Sequence, residues 1–365
     1  MTKPVEQHGD VPANPMVSVI VPARNEEACL AACLASLIAQ SGFEREIVVV
    51  DDASMDATRT IAEGFSGVRV VAARPLIPGY SGKCNAAQTG ADIARGEWLL
   101  FTDADTVHEP GSLAQAVAEG ENYQVALLSY SPRQVVRGFW ERAVMPVVFA
   151  ELASRFRSAD VCDPASPAAA ANGQYLLIRR EAYQAAGGHD AVAHTLLEDV
   201  ELARRVKQSG RKIRFRYGGE MVSTRMYRSF RELREGWTKN LALLFPNAHR
   251  LALWRFAEFV SGLAGVVTAV AGLATGHFVV ATGGLAVAVV IWTRFAVRIR
   301  KAHFGLLENC LAPFGLPVFA GLLLRSWHGH RAGGCVTWKG RSYSGEAAQP
   351  ARPASGAQEA AVPRA

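Results

Sequence analysis

The chain has 365 residues, half of them hydrophobic, and a formal net charge of +6 at neutral pH. That length holds one large domain with an attachment, or two domains. The apolar excess gathers between residues 251 and 324 and no nucleic-acid module is present, so the basic balance points to an anionic membrane face and away from nucleic acid. The six cysteines (Cys29, Cys33, Cys84, Cys162, Cys310, Cys335) form neither a disulfide framework nor a paired metal spacing. Cys29 and Cys33, one helical turn apart, read as small helix-face residues. Residues 1–15 are polar, with three prolines, and read as a flexible N-terminus that is neither signal peptide nor membrane anchor. The first part of the chain is therefore expected in the cytoplasm.

Residues 17–22 read as a short buried strand, and Asn25-Glu26-Glu27 opens a helix to about residue 40, with Leu30, Leu34, Leu37 and Ile38 at helical spacing. A second strand over 46–52 ends in Asp51-Asp52. A helix over 56–63, a strand over 68–71, a helix over 83–94 and a strand over 97–101 follow. Strands alternating with helices predict a mostly parallel sheet covered on both faces. The most informative stretch is Trp98-Leu99-Leu100-Phe101-Thr102-Asp103-Ala104-Asp105. An apolar strand that ends in Asp-x-Asp puts two acids at the sheet's C-terminal edge, where open α/β sheets bind ligands. One carboxylate can hold a divalent cation and the other a ribose hydroxyl, which suits a nucleotide diphosphate. Taken alone, an Asp-x-Asp is also an ordinary polar loop after a strand.

Further along, residues 125–130 predict a strand. Residues 139–156 predict an apolar helix with Trp140, Arg142, Arg155 and Arg157 at its ends, suited equally to a core or to a membrane interface. Residues 160–171, rich in Pro and Ala, read as a mobile loop. A strand over 173–178, a helix over 180–186 stopped by Gly187-Gly188, a helix over 198–210 and a strand over 213–217 complete this part. Two apolar helices are then expected at about 254–275 and 277–297, each near the ~20 residues a membrane span needs. Arg294, Arg298, Arg300 and Lys301 follow the second, and the turn Thr275-Gly276-His277 has no Lys or Arg, so both ends of the hairpin are expected in the cytoplasm. Gly262, Gly265, Ala269 and Gly272 permit close helix contact. A buried hairpin of a soluble domain is the alternative. Residues 305–324 are apolar but interrupted by Glu308, Asn309, Pro313 and Pro317, and the basic residues that follow favour a re-entrant or interfacial segment over a third span. Residues 326–344 are basic and aromatic. Within them Trp338, Lys339 and Arg341 could return to the mouth of a site or sit at the interface. Residues 345–365 have a disordered composition.

Several motifs stand in a telling order. They are Val-Ser-Val-Ile-Val-Pro-Ala-Arg-Asn-Glu-Glu at 17–27, the Asp51-Asp52 run, Gly82-Lys83 with Asn85, Thr-Asp-Ala-Asp, Asn172-Gly173-Gln174 with Arg179-Arg180, and Leu-Glu-Asp-Val-Glu-Leu-Ala-Arg-Arg at 197–205. Arg231, Arg234 and Trp237 come last, before the membrane region. This ordered set resembles the inverting family 2 glycosyltransferases, and within them the membrane-attached, lipid-glycosylating branch that includes ceramide glucosyltransferase-like enzymes and those glycosylating hopanoids or carotenoids. The resemblance implies a GT-A fold over 16–245, with a mostly parallel sheet flanked by helices, and a membrane region over 250–325. That branch often carries a Gln/Arg-x-x-Arg-Trp motif; here two residues separate Arg234 from Trp237.

The resemblance also implies roles. Asp52 resembles the acid that reads the nucleotide base, with Pro22, Ala23, Arg24 and Glu26 along the same groove and Lys83 near the phosphates. Asp103 is then expected to hold ribose or assist the cation, and Asp105 to ligate Mg²⁺ or Mn²⁺. Asp199 resembles the catalytic base, with Gly173, Glu198, Arg231, Arg234 and Trp237 on the diphosphate and acceptor side, and His189 or His194 near the acceptor. Residue by residue, plainer readings stand beside these: a cap pair for Asp51-Asp52, a solvated lysine, helix-start acids for Glu198-Asp199 and a surface helix for the Arg/Trp set. The implied activity is transfer of a hexose from a nucleotide diphosphate sugar, a UDP-sugar, to a lipid hydroxyl. The enzyme would be a multi-pass protein of the inner membrane with its catalytic domain in the cytoplasm. The rival readings are a polyprenyl-phosphate or polysaccharide-forming transferase and, from another class, a non-catalytic membrane nucleotide-sugar binder or transporter.

Overall fold

In the computed structural model, which describes residues 16–331, 336–338 and 341–343, short strands and helices alternate before three long helices. The strands are β1 (Val17–Ala23), β2 (Arg45–Asp51), β3 (Val68–Ala72), β4 (Trp98–Phe101), β5 (Thr106–His108), β6 (Leu127–Ser131), β7 (Arg133–Gln134), β8 (Leu176–Arg179), β9 (Ile213–Tyr217) and β10 (Val222–Thr224). Seven of them form one sheet in the order β3-β2-β1-β4-β8-β6-β9. All neighbours run parallel except β8, which is antiparallel to β4 and to β6. A smaller sheet, β5-β10-β7, sits beside it. The helices are α1 (Leu30–Ile38), α2 (Thr58–Glu63), α3 (Gly82–Ile93), α4 (Ser112–Asn122), α5 (Phe139–Arg155), α6 (Ser158–Cys162), α7 (Arg180–Ala185), α8 (Glu198–Gln208) and α9 (Phe230–Leu244), followed by the long α10 (Ala248–Ala274), α11 (Phe278–Ile299) and α12 (Leu306–Arg331). This is the mostly parallel α/β sheet flanked by helices that the resemblance implies. Residues 336–338 and 341–343 pair as a short antiparallel ribbon. The expectations for residues 1–15 and 345–365 lie outside the described residues.

Burial explains the layering. Val17, Val19 and Val21 of β1 meet Leu30, Leu34 and Leu37 of α1 on one face of the sheet. Ile20, Val48 and Val50 meet Ala86, Ala87 and Ala91 of α3 on the other. Strands covered on both faces read as continuous apolar runs, as these do. Each fully buried leucine contributes ~1.5–3 kcal/mol.

Because β1, β2 and β4 are parallel, their C-termini reach one edge, with acids after β2 and β4. Antiparallel β8, paired Phe101 to Leu176, brings its own start to the same edge. Thr102 seals that junction: its hydroxyl donates to the Gln174 carbonyl at 2.9 Å.

Two local expectations shift. The first helix starts at Leu30, not at Asn25, because residues 24–27 bind the loop after β2 instead. Arg24 donates to the carbonyls of Asp52 and Ala53 at 2.6 and 3.0 Å. The Glu26 N–H donates to Thr58 at 2.7 Å, and Asn25 adopts φ 53°. The loop expected over 160–171 begins inside α6, and Lys207 pins it by donating to the carbonyls of Val161 and Ala168 at 2.7 and 2.6 Å.

The three last helices are long and apolar enough to cross a membrane. Their composition indicates membrane association. In α10 the buried residues include Gly262, Gly265, Ala269 and Gly272; in α11 they include Ala281, Gly284 and Ala288. Small side chains let these two backbones approach closely. Large apolar side chains, Leu263, Val267 and Val270 among them, face outward. α12 behaves differently. Although Pro313 and Pro317 lie inside it, the helix is continuous. Its Leu316, Phe319 and Leu323 share a core with Val144 and Val148 of α5 and Leu233 and Trp237 of α9. Glu308 near its start lies 3.8 Å from Arg142 of α5, and Ser326 near its end accepts from the Ala242 N–H of α9 at 2.9 Å.

Candidate active site

The shared edge opens into a cleft of about 880 Å³. Pro22, Ala23, Arg24 and Glu26 after β1, Asp52 after β2, and Lys83 at the start of α3 line it. So do Asp103 and Asp105 after β4, Gly173 before β8, Glu198 and Asp199 at the start of α8, and Trp237 of α9. Residues separated by more than two hundred positions therefore face one space. The two acids after β2 divide their work. Asp51 accepts from the Ser54 N–H at 3.1 Å and so caps the turn, while Asp52 turns to the cleft.

At the cleft floor, the Lys83 ammonium lies 2.8 Å from Asp103 Oδ1 and 3.4 Å from Glu198 Oε1. Burial opposes its charge, but Asp103, Glu198 and then Asp199 outweigh burial and hold it well above the usual lysine range. Asp199 accepts the Gly173 N–H on Oδ2 and the Val200 N–H on Oδ1, both at 2.8 Å. Burial, with the neighbouring Glu198 second, lifts its carboxyl to about 6; Lys83 and the two N–H donors pull the other way. A carboxylate fixed by two backbone donors, with its affinity for a proton raised, is suited to act as a general base. Asp199 also stands in the first turn of α8, so the helix-start reading and the catalytic one describe the same residue.

Gly173 makes this approach possible. A Cβ there would lie 2.9 Å from Lys83 Nζ and 3.6 Å from Asp199 Oδ2. Gly173→Ala is expected to push Lys83 off Asp103 and weaken nucleotide binding by ~10- to 150-fold, the loss of one charge-assisted hydrogen bond of ~1.5–3 kcal/mol. Titration calorimetry checks this, with an unchanged melting temperature as the control.

Other expected residues lie elsewhere. The Arg231 side chain is 80% exposed and pairs with Glu235 at 2.9 Å, and neither Arg231 nor Arg234 lines the cleft. The α9 residues that do line it include Glu232, Glu235, Gly236, Lys239 and Asn240, three or four apart on one stripe, and Gly236 rests against the Tyr227 ring, where a Cβ would overlap it. An arginine cannot stand beside the tryptophan there, and the arginines three and six positions before Trp237 point away. Trp237 itself is 3% exposed and backs the cleft, with its Nε1–H toward Met145 Sδ at 3.4 Å. His189 is buried against Tyr183 and Phe101, and burial drops its imidazole to about 3. His194 lies against Tyr80 and Gly79. Neither histidine lines the cleft.

Residues that local reading missed complete the wall. Lys239 follows Trp237 by two positions and faces the cleft, its ammonium lowered by burial despite Glu198 nearby. Lys301, Ala302 and His303, from the turn between α11 and α12, line the far side, where His303 stacks on Tyr217 at 4.0 Å and 7°. Phe149, Leu152, Ala153 and Phe156 give that side an apolar stripe from α5. Cys29 also lines the cleft, with its thiol lifted to about 12 by burial and by Glu26.

Among the described residues, no group of three or more His, Cys, Asp or Glu side chains is arranged to hold a metal alone. Magnesium-type ions need less: one or two carboxylates plus substrate phosphates. Asp105, an oxygen donor facing the cleft two residues beyond the Lys83-bound Asp103, fits that requirement.

Comparison with known proteins bears on the family and the activity. Residues 18–186 match the family model described as glycosyl transferase family 2. A curated relative, 4,4'-diaponeurosporenoate glycosyltransferase of Staphylococcus aureus, is 26% identical over 344 residues, covering 90% of this chain and 88% of the relative. Among solved structures, a mannosyltransferase from Pyrobaculum calidifontis in complex with GDP-Man and Mn²⁺ has a TM-score of 0.49 at 20% identity, with 90% of each chain covered. Glucosyl-3-phosphoglycerate synthase from Mycobacterium tuberculosis, in complex with Mn²⁺ and UDP-glucose, has a TM-score of 0.42 at 21% identity over 64% of this chain and 80% of that one. The family match spans β1 to α7 and stops before Glu198 and Asp199, whose part rests on geometry. Residues 18–186 thus carry the glycosyl transferase family 2 pattern, and the chain is a nucleotide-sugar glycosyltransferase distantly like a carotenoid glycosyltransferase.

Proposed function

We propose that the chain transfers a hexose from a UDP-sugar to the hydroxyl of a lipid of hopanoid, carotenoid or sphingolipid type, with inversion, at the cytoplasmic face of the membrane. One observation carries this reading. A single cleft has an acidic, lysine-bearing end at the sheet edge and an apolar wall from α5, faced by the turn between two long apolar helices. A water-soluble donor suits the first and a lipid acceptor the second. The S. aureus relative is named for a carotenoid substrate, which supports the same acceptor class.

The steps follow from the side chains. Asp52 accepts from the base, and Pro22 to Glu26 border it. Asp103 and Lys83 bracket ribose and phosphate. A Mg²⁺ or Mn²⁺ held by Asp105 would neutralise the departing diphosphate. Asp199 takes the acceptor proton as the acceptor oxygen attacks the anomeric carbon; the bond to the diphosphate breaks and its electron pair leaves with the nucleotide. Glu198 keeps Lys83 in place beside the leaving group. Arg294, Arg298, Arg300 and Lys301, on the same side of the hairpin as the catalytic domain, support a cytoplasmic orientation. The attachment of α12 to α5 and α9 at both ends supports an interfacial course for it.

Membranes carrying the chain should convert a radiolabelled UDP-hexose, drawn from a panel of donors, into a labelled lipid with inverted anomeric configuration. Supplied long-chain alcohols should accept the sugar and polyprenyl phosphates should not. No lipid-linked sugar from any common donor overturns the proposal, and preference for the phosphate transfers it to the polyprenyl-phosphate reading.

A further inference from the structure

Four charged side chains form a closed ring where the long hairpin meets the catalytic domain. Arg255 of α10 lies 2.8 Å from Glu151 of α5 and 3.2 Å from Glu258 of α10. Arg298 of α11 lies 3.1 Å from Glu151 and 2.7 Å from Glu258. Each guanidinium touches both carboxylates, so the ring is neutral. Its side chains are shielded: Glu151 is 6% exposed, Glu258 13%, Arg298 16% and Arg255 19%. No step described above uses any of them.

Buried ion pairs are poor sources of net stability, because desolvation offsets their attraction; their best-attested use is to specify one register among several. The hairpin needs such a device. Small residues let α10 and α11 slide close, and an outward face of aliphatic side chains is indifferent to small shifts along the lipid. A bidentate guanidinium is not indifferent.

What the ring sets is the site itself. Glu151 shares α5 with Phe149, Leu152 and Ala153, which line the cleft on another side of that helix together with Phe156 just past its end. Arg298 stands three residues before Lys301 and five before His303, which line the facing wall. The ring therefore spans the two supports whose separation is the width of the apolar side.

We propose that Glu151, Arg255, Glu258 and Arg298 are positioning residues: they fix the α11–α12 turn against α5 and so set the dimensions of the acceptor side for an amphiphile with a long apolar chain, while leaving the nucleotide side untouched. This rests on the proposed function in taking the apolar side as the acceptor's. A neutral ring also makes a particular demand. Removing one charge leaves an uncompensated charge among buried groups, whereas removing one carboxylate and one guanidinium leaves the neutral Glu151–Arg255 pair.

The test uses the full chain in detergent, with 11-(dansylamino)undecanoic acid as a fluorescent amphiphile and UDP with Mn²⁺ as the nucleotide probe. Arg298→Gln and Glu258→Gln should each weaken amphiphile binding about tenfold and leave UDP affinity unchanged, and the double variant should recover most of the loss, as coupled sites do. The proposal is overturned if the single variants bind the amphiphile normally, if UDP affinity falls in parallel, or if the double variant adds the two losses. It is also overturned if the wild-type protein binds UDP but not the amphiphile. Failure of the wild-type protein to bind UDP at all would instead remove the donor assignment beneath it, a separate result in the same titration.

Discussion

Asp199→Asn should lower transfer to the acceptor by ~10²–10⁴-fold, the usual contribution of a general base, with UDP affinity unchanged. The substitution keeps the shape and removes the basic oxygen. It acts on a group that touches neither base nor ribose in the expected arrangement, so the loss belongs in kcat. The pH dependence gives a second, independent readout. The active form is the ionised one, and burial with Glu198 has lifted the carboxyl to about 6. As pH falls through that value the protonated fraction grows, and kcat/KM should drop ~10-fold per pH unit below it. Above it, activity should be flat until another group titrates. The Asp199→Asn variant should lose this acid limb along with most of its rate. Full transfer by the variant would leave two readings standing: an acceptor that arrives already deprotonated, such as a phosphate or carboxylate, or a protein that binds nucleotide sugars without catalysis. Comparing alcohol and phosphate acceptors on the variant separates them.

The legible parts of this protein are those where function and fold use local sequence. β1, β2 and β4 announce themselves as apolar runs, the last two running into acids, because the sheet needs buried side chains on both faces while its C-terminal edge must bind a polar ligand. The glycines and alanines at 262, 265, 269 and 272 were readable as a close helix contact for the same reason: one short periodic pattern carries the whole demand. Where the demand is distributed, the sequence is silent. Residues 25–27 look like a helix start, yet their N–H groups go to Ser54, Thr58 and Asp56, some thirty residues away, and the helix waits until Leu30. The small sheet β5-β10-β7 joins segments two or three residues long from three distant places, too short for any periodicity. Lys239, Lys301 and His303 reach the cleft only because α9 and the α11–α12 turn fold back over it. Arg231 and Arg234 illustrate the converse. They sit in a recognisable motif position, but the stripe of that helix that faces the site runs through Glu232, Glu235, Gly236, Lys239 and Asn240.

Asp105 carries the other large effect. The two acids after β4 are not equivalent, since Asp103 is 2.8 Å from the Lys83 ammonium and its charge is already matched. Asp105 lies beyond that pair, and its negative field is felt across the cleft: it adds to burial in raising the thiols of Cys29 and Cys33 and the phenol of Tyr227. Its backbone is anchored, with the carbonyl accepting from Thr224 at 3.2 Å, so a change of side chain should leave the loop in place. A divalent cation entering with the diphosphate would meet the Asp105 carboxylate beside the Lys83–Asp103 pair. Asp105→Asn should therefore reduce UDP affinity in Mn²⁺ to the value the wild-type protein shows in EDTA, and lower turnover by ~10²–10³-fold, or ~3–4 kcal/mol. Asp103→Asn should behave differently: it releases Lys83, so UDP binding should weaken by a similar factor with and without the cation. If instead Asp105→Asn retains a full response to Mn²⁺ and Asp103→Asn loses it, the cation belongs to Asp103, and Lys83 must swing to Glu198 when the donor binds.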